Sequence, residues 1–173
     1  MRKKVRSVYN VPDMKGQDGQ WISTYTVTTE TEYVQYWTRS FKLWVKVNGR
    51  CSDGYILKDR PSYIKSENKF KDFQQFAGWC QEQEGYSNKD PNGKFWSLDK
   101  DLIVEGNTAY SPETCLFVPN DVNQLFTSKT ATLTKEEVIH RKSKKIKEIL
   151  KRNDLTSKLR ATLEDRLARL VKE

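Results

Sequence analysis

The sequence predicts an α+β protein: a small mixed domain whose hairpin-and-helix core is packed by amphipathic helices, with a helical hairpin at its C-terminal end. Three observations predict it. Short β-branched and aromatic runs bounded by turn residues occur around 21–34 and 96–118, aromatic residues recur at helical spacing in two further segments, and a lysine-rich helical pattern fills most of 134–171. The changes of pattern divide the chain into a basic N-terminal arm over 1–20, an α+β domain over 21–126 and a basic helical extension over 127–173.

The arm carries Arg2, Lys3, Lys4 and Arg6 and continues through Pro12, Gly16 and Gly19, a composition suited either to lying along phosphates or to a solvated terminus. From Trp21 to Val34 the alternation of threonine, tyrosine and valine predicts one strand or a hairpin. Trp37, Phe41, Trp44 and Val47 then recur at helical spacing, the buried stripe of an amphipathic helix that Asn48-Gly49 should end in a left-handed cap. Arg50 and Cys51 follow. A guanidinium fork at Arg50 suits two phosphate oxygens, or else a nearby carboxylate. Turns at Asp53-Gly54 and Arg60-Pro61 lead to a second amphipathic helix, about Lys69 to Gln83, with Phe70, Phe73, Phe76, Ala77 and Cys80 on or near one face. A polar loop from Glu84 to Lys94 delivers the chain to its central stretch, which the helices should cover.

That stretch reads W-S-L-D-K-D-L-I-V-E-G-N-T-A-Y-S-P-E-T-C-L-F-V-P-N-D-V-N-Q-L-F, from Trp96 to Phe126. Leu98, Leu102, Ile103 and Val104 surround Asp99 and Asp101, and a Gly106-Asn107 turn predicts a hairpin returning toward Tyr110. Ser111-Pro112-Glu113 combines a hydroxyl cap, a first-turn proline and an acid, the signals of a short helix start. Asn120 caps another short helix holding Val122, Leu125 and Phe126, with Asn123 on its side. Carboxylates fixed on paired strands could hold a divalent cation; the alternative is that they solvate the strand's outer face.

The residues L-D-K-D-L-I-V-x-G-N-x-x-Y-S-P-E-T-C-x-F-V-P, with Asn123 beyond them, resemble a group of tailed-phage proteins of the HNH-type, or His-Me finger, endonuclease-like family. Upstream the resemblance takes in Trp44, Arg50-Cys51, Pro61-x-Tyr63, Phe73, Phe76 and Trp79, about the middle half of the chain. It implies an HNH-like ββα core, double-stranded DNA as partner, and Mg²⁺ or another divalent cation if the protein is active. In that family an Asp-His pair closes the first strand, the His taking a proton from the attacking water and the Asp helping to hold the metal. Here Asp99 matches the metal-side aspartate and Lys100 stands in the place of the base, although a lysine is ordinarily protonated at neutral pH. The Asn or His of the following helix falls near Thr114 or Cys115. Asp99 and Lys100 are therefore the candidate catalytic pair, and Asp99, Asp101 and Asn123 the candidate metal ligands. The resemblance also implies a protein of the cytoplasm of a bacterial host.

Thr134-Lys135-Glu136-Glu137 has capping-box spacing before the long helix. Val138, Ile139, Ile146, Ile149 and Leu150 make its apolar stripe, while Arg141, Lys142, Lys144, Lys145, Lys147, Lys151 and Arg152 crowd the other faces. Such density predicts contact with a phosphate backbone, together with Arg50 and Lys100. Asn153-Asp154 interrupts the pattern, and Leu159, Leu163, Leu167 and Leu170 form a last helix that either folds back on the chain or pairs with a second copy as a homodimer.

Over the whole chain, 31 Lys and Arg against 23 acids give a net charge of +8, which favours polyanionic partners, above all a phosphate backbone, and does not separate DNA from RNA or from an acidic protein surface. At 173 residues the length suits one domain with an appendage. No apolar run approaches a membrane span, and the basic N-terminus is not followed by the apolar segment of a signal peptide. Cys51, Cys80 and Cys115 are too few and too widely spaced for a disulfide framework or a C-x-x-C zinc pair. The lone His140 lies in the basic helix, remote in sequence from Asp99. Two functions compete: a metal-dependent DNA endonuclease, and an inactive protein on the same scaffold that binds nucleic acid or a host protein as a phage regulatory factor.

Overall fold

Helices and small sheets are mixed along the chain in the computed structural model, which describes residues 3–52, 65–127 and 133–172, and the protein is α+β. It divides into two compact units, Met1–Glu82 and Gln83–Glu173. The expected turns at Asp53-Gly54 and Arg60-Pro61, and most of the linker expected before the basic helix, lie outside the described residues. No helix among the described residues is long and apolar enough to cross a membrane.

In the first unit, the threonine-rich alternation forms a hairpin of β2 (Thr24–Thr28) and β3 (Glu32–Thr38), paired antiparallel from Thr24↔Trp37 to Thr28↔Tyr33. The arm is not free. Residues Lys4–Val11 form β1, which runs parallel to β3 from Lys4↔Glu32 and gives the sheet order β1-β3-β2. Its register shifts between Tyr9 and Val11, where Asn10 takes a φ of 60°.

Helix α1 (Arg39–Arg50) leaves β3 directly. Its Thr38 cap residue supplies no side-chain cap, because the hydroxyl is turned to the carbonyls of Ile22 and Ser23, both at 2.9 Å. Asp13 serves in its place, accepting the Ser40 N–H at 2.9 Å and the Ser40 hydroxyl at 2.6 Å. The expected end at Asn48-Gly49 is corrected: the helix continues to Arg50, and the Cys51 N–H reaches back to the Val47 and Asn48 carbonyls without a left-handed residue. The short strand β4 (Glu67–Asn68) precedes α2 (Phe73–Glu82), which is shorter than expected because Asp72 accepts the Gln75 N–H and starts the helix there. The aromatic residues of both helices form one run of ring contacts, Tyr9–Trp37–Phe41–Phe73 and onward through Trp44, Phe76, Phe70 and Trp79, so within this unit they pack against the sheet and each other.

The second unit opens at Gly85, with φ +83°, where the chain turns against the buried Trp96. A tight loop then closes on Asp90, whose carboxylate accepts the N–H groups of Asn92 and Lys94, both at 2.9 Å. Strand β5 (Ser97–Asp99) follows, then β6 (Ala109–Tyr110), β7 (Leu116–Val118) and α3 (Asn120–Thr127). The predicted hairpin through Gly106-Asn107 does not form. The antiparallel partner of β5 is β7, in the register Ser97↔Val118, Leu98↔Phe117 and Asp99↔Leu116, so a 16-residue excursion from Lys100 to Cys115 separates the strands. The helix expected at Ser111 is a single turn: the Ser111 carbonyl accepts the Cys115 N–H at 3.0 Å, and β7 begins at the next residue.

Helices α4 (Lys135–Ile149) and α5 (Ser157–Lys172) belong to this same unit. The Thr134–Glu137 capping box is present in both directions. Ile146, Ile149, Leu159, Leu163 and Leu170 are buried within the chain, and Leu167 of the same leucine series is half-buried.

Candidate functional site

Local chemistry places the central residues. Asp99 ends β5 and turns its Oδ1 onto the backbone, accepting the N–H groups of Asp101 at 2.9 Å and Leu102 at 2.7 Å. A carboxylate used in this way starts a turn and stops the strand. Burial pushes the Asp99 carboxyl above its ordinary range, against the opposing pull of the Leu102 N–H.

Lys100 comes next, and its side chain is only 7% exposed. Its Nζ donates to Asp101 Oδ1 at 2.7 Å and to the Asn107 carbonyl, and lies 5.9 Å from the centre of the Tyr110 ring. The Asn107 amide completes the closure, donating to the carbonyls of Lys100 at 2.8 Å and Ala109 at 2.7 Å and accepting the Ala109 N–H at 3.0 Å. The Gly106-Asn107 pair is therefore used to tie the excursion shut. Cys115 is also fully buried, and burial pushes its thiol up to about 12. Such a thiol is no nucleophile.

The helix that follows the two strands is α3, and the residue it carries is Asn123, half-buried in its first turns. Thr114 and Cys115 lie before β7 instead. Of the donor set Asp99, Asp101 and Asn123, Asp99 Oδ1 accepts two N–H groups and Asp101 Oδ1 accepts from the Lys100 Nζ, and among the described residues no group of three or more His, Cys, Asp or Glu side chains is gathered that could hold a metal ion. Lys100, expected to meet DNA or to stabilise charge, is buried, with its Nζ taken up by Asp101 and the Asn107 carbonyl.

The basic residues of the C-terminal part separate into two groups. Arg141, Lys144, Lys145, Lys147 and Lys151 are exposed. Lys142 and Arg152 are half-buried and ion-paired, Lys142 with Glu105 at 3.4 Å and Arg152 with Asp121 and Asp154, both at 2.7 Å. Arg152 is held in its charged form mainly by the hydrogen bond to Asp154. Arg50 ends α1 in the other unit.

Two features escaped sequence reasoning. Glu105 joins the excursion to both long helices, pairing with the buried Arg166 at 2.9 Å as well as with Lys142. Partial burial raises its carboxyl, but Arg166 and Lys142 outweigh that effect and hold it below the usual glutamate range. A cleft of about 730 Å³ is lined by Asp90, Lys94, Asn120, Asp121, Arg152 and Asp154. Its charged groups are largely satisfied by one another, and no sequence signal brings residues 90, 121 and 154 together.

No protein family, curated protein or solved structure matches the chain.

Proposed function

We propose that this protein binds nucleic acid, most simply double-stranded DNA, through the outer side of α4, and that the strand–excursion–strand–helix of the second unit is a structural frame and not a cutting centre. The observation that carries the proposal is the division of the basic residues. Four of them, Arg141, Lys144, Lys145 and Lys147, stand exposed along about 9 Å of helical rise on α4, with Lys151 exposed just past its end, while their neighbours Lys142 and Arg152 anchor this segment by ion pairs to Glu105 and Asp121. Exposed lysines with long stems can each approach a phosphate, and a rod fixed by ion pairs loses little freedom on binding. The likeness of the L-D-K-D and Y-S-P-E-T-C motifs to HNH-type phage proteins supports DNA as the polyanion.

Against cutting stands Lys100. The group in the place of the base is an ammonium held by Asp101 and the Asn107 carbonyl, and a protonated amine so held cannot take a proton from water. The deciding experiment incubates supercoiled and linear DNA with the protein in Mg²⁺, in Mn²⁺ and in chelator, beside an Asp99→Ala variant. Salt-sensitive retardation of the DNA without nicking is expected in every lane. Metal-dependent nicking that the variant lacks would overturn the structural-frame assignment, and binding indifferent to salt would overturn the phosphate contact.

A further inference from the structure

We propose that Asp101, the Asn107 carbonyl and the Tyr110 ring form a cation site selective for a primary ammonium group, and that Lys100 is its built-in occupant, ordering residues 99–110 without a bound metal ion.

The geometry has the parts such a site needs. One full negative charge and one carbonyl oxygen accept hydrogen bonds from the same Nζ. The carbonyl is held in place because the Asn107 side chain is itself tied to the Lys100 and Ala109 carbonyls. An aromatic face completes the lining, with Tyr110 only 1% and Lys100 only 6% exposed. That combination discriminates between cations. Mg²⁺ and Ca²⁺ require about six to eight oxygen ligands at 2.0–2.6 Å and gain nothing from a ring face. An ammonium has three directional donors and is attracted to the ring's negative face, the more strongly when water is excluded. Asp99 Oδ1 is turned to the Asp101 and Leu102 N–H groups, and among the described residues no group of three or more His, Cys, Asp or Glu side chains is gathered to supply a metal's oxygen shell. The Asp101 side chain is 37% exposed, so one side of the site stays open to an external amine if the lysine stem is removed. None of this depends on nucleic-acid binding.

The test is thermal unfolding of the wild type and of Lys100→Ala in matched ionic strength, with sodium, propylammonium, Mg²⁺ or Ca²⁺ as the cation. The wild type should not distinguish these cations. Deleting the buried lysine stem and its ion pair should lower the Lys100→Ala midpoint by about 5–15 °C, and propylammonium, which replaces the deleted atoms, should restore part of the loss where Mg²⁺ and Ca²⁺ do not. Recovery by a divalent ion, or a rise of the wild-type midpoint in one, would overturn the proposal, as would an absence of recovery specific to the amine. Should Lys100→Ala not fold, Lys100→Met keeps the apolar stem. The double variant with Asp101→Asn should then lose less than the sum of the two single losses; a full sum would overturn the pairing.

Discussion

Replacing Lys144, Lys145 and Lys147 together with glutamine is expected to remove more than half of the salt dependence of duplex binding. Each phosphate neutralised contributes about −0.9 to the slope of log affinity against log salt, so the four exposed cations of α4 with Lys151 just past its end together give a slope of about −4.5. With two left, Arg141 and Lys151, the slope falls to about −1.8, so a fourfold rise in salt weakens binding about 12-fold in the variant against about 500-fold in the wild type. Fluorescence anisotropy of a short labelled duplex over that fourfold range measures both slopes. Lys142→Gln is the internal control: its amine is occupied by Glu105, so the variant should lose some stability and keep the wild-type slope. A wild-type slope in the triple variant would refute α4 as the contact surface, and an equal fall in Lys142→Gln would refute the division between presented and anchoring cations.

Asp99→Ala leaves two N–H groups without their acceptor, one of them on the buried Leu102, and should cost about 2–4 kcal/mol in urea unfolding. Asp99→Asn keeps the oxygen and sheds a buried charge, so its loss should be no more than half as large; equal losses would show that the charge matters and the turn does not. The folded Glu105 carboxyl is depressed below its ordinary 4.5, so its contribution is present above that value and is lost as pH falls through the lower folded one. Glu105→Gln should therefore flatten the midpoint-against-pH curve below about pH 5, by less than about 1 kcal/mol because the carboxylate is well exposed. In Gly85→Ala, the new Cβ would meet Trp96 Cε3 at 2.7 Å with the backbone at φ +83°. A loss of about 2–4 kcal/mol is expected, and calorimetry should register it as a midpoint about 5–15 °C lower.

What was legible in the sequence was local. The Thr134–Glu137 box and the β2–β3 alternation each rest on residues a few positions apart, and each is in the structure. What was not legible depends on distant partners. Residues 4–8 show no clean alternation, and the charge of Lys4 and Arg6 reads as an arm until Glu32 and its neighbours are there to pair with. Asn107 has the residue type of a hairpin turn, yet its amide serves the Lys100 and Ala109 carbonyls. The Ser111-Pro112-Glu113 start signal is sound for one turn and is overruled when Leu116 pairs with Asp99. Lys100 is the hardest case, since a lysine flanked by aspartates reads as surface; its burial follows only from the closure of the excursion on Tyr110.

The parallel pairing of β1 with β3 also bears on how the chain can be shortened. Trimming the first eleven residues is the natural way to ask whether a basic leader grips DNA, but it would strip one flank from a three-stranded sheet. The edge of β3 would then be bared from Glu32 to Thr38, and a bared edge recruits other chains. Poor yield or clumping of such a truncate would reflect a broken sheet, whatever the leader does to DNA. Arg2, Lys3, Lys4 and Arg6 are better examined by exchanging side chains, with the strand's backbone left whole.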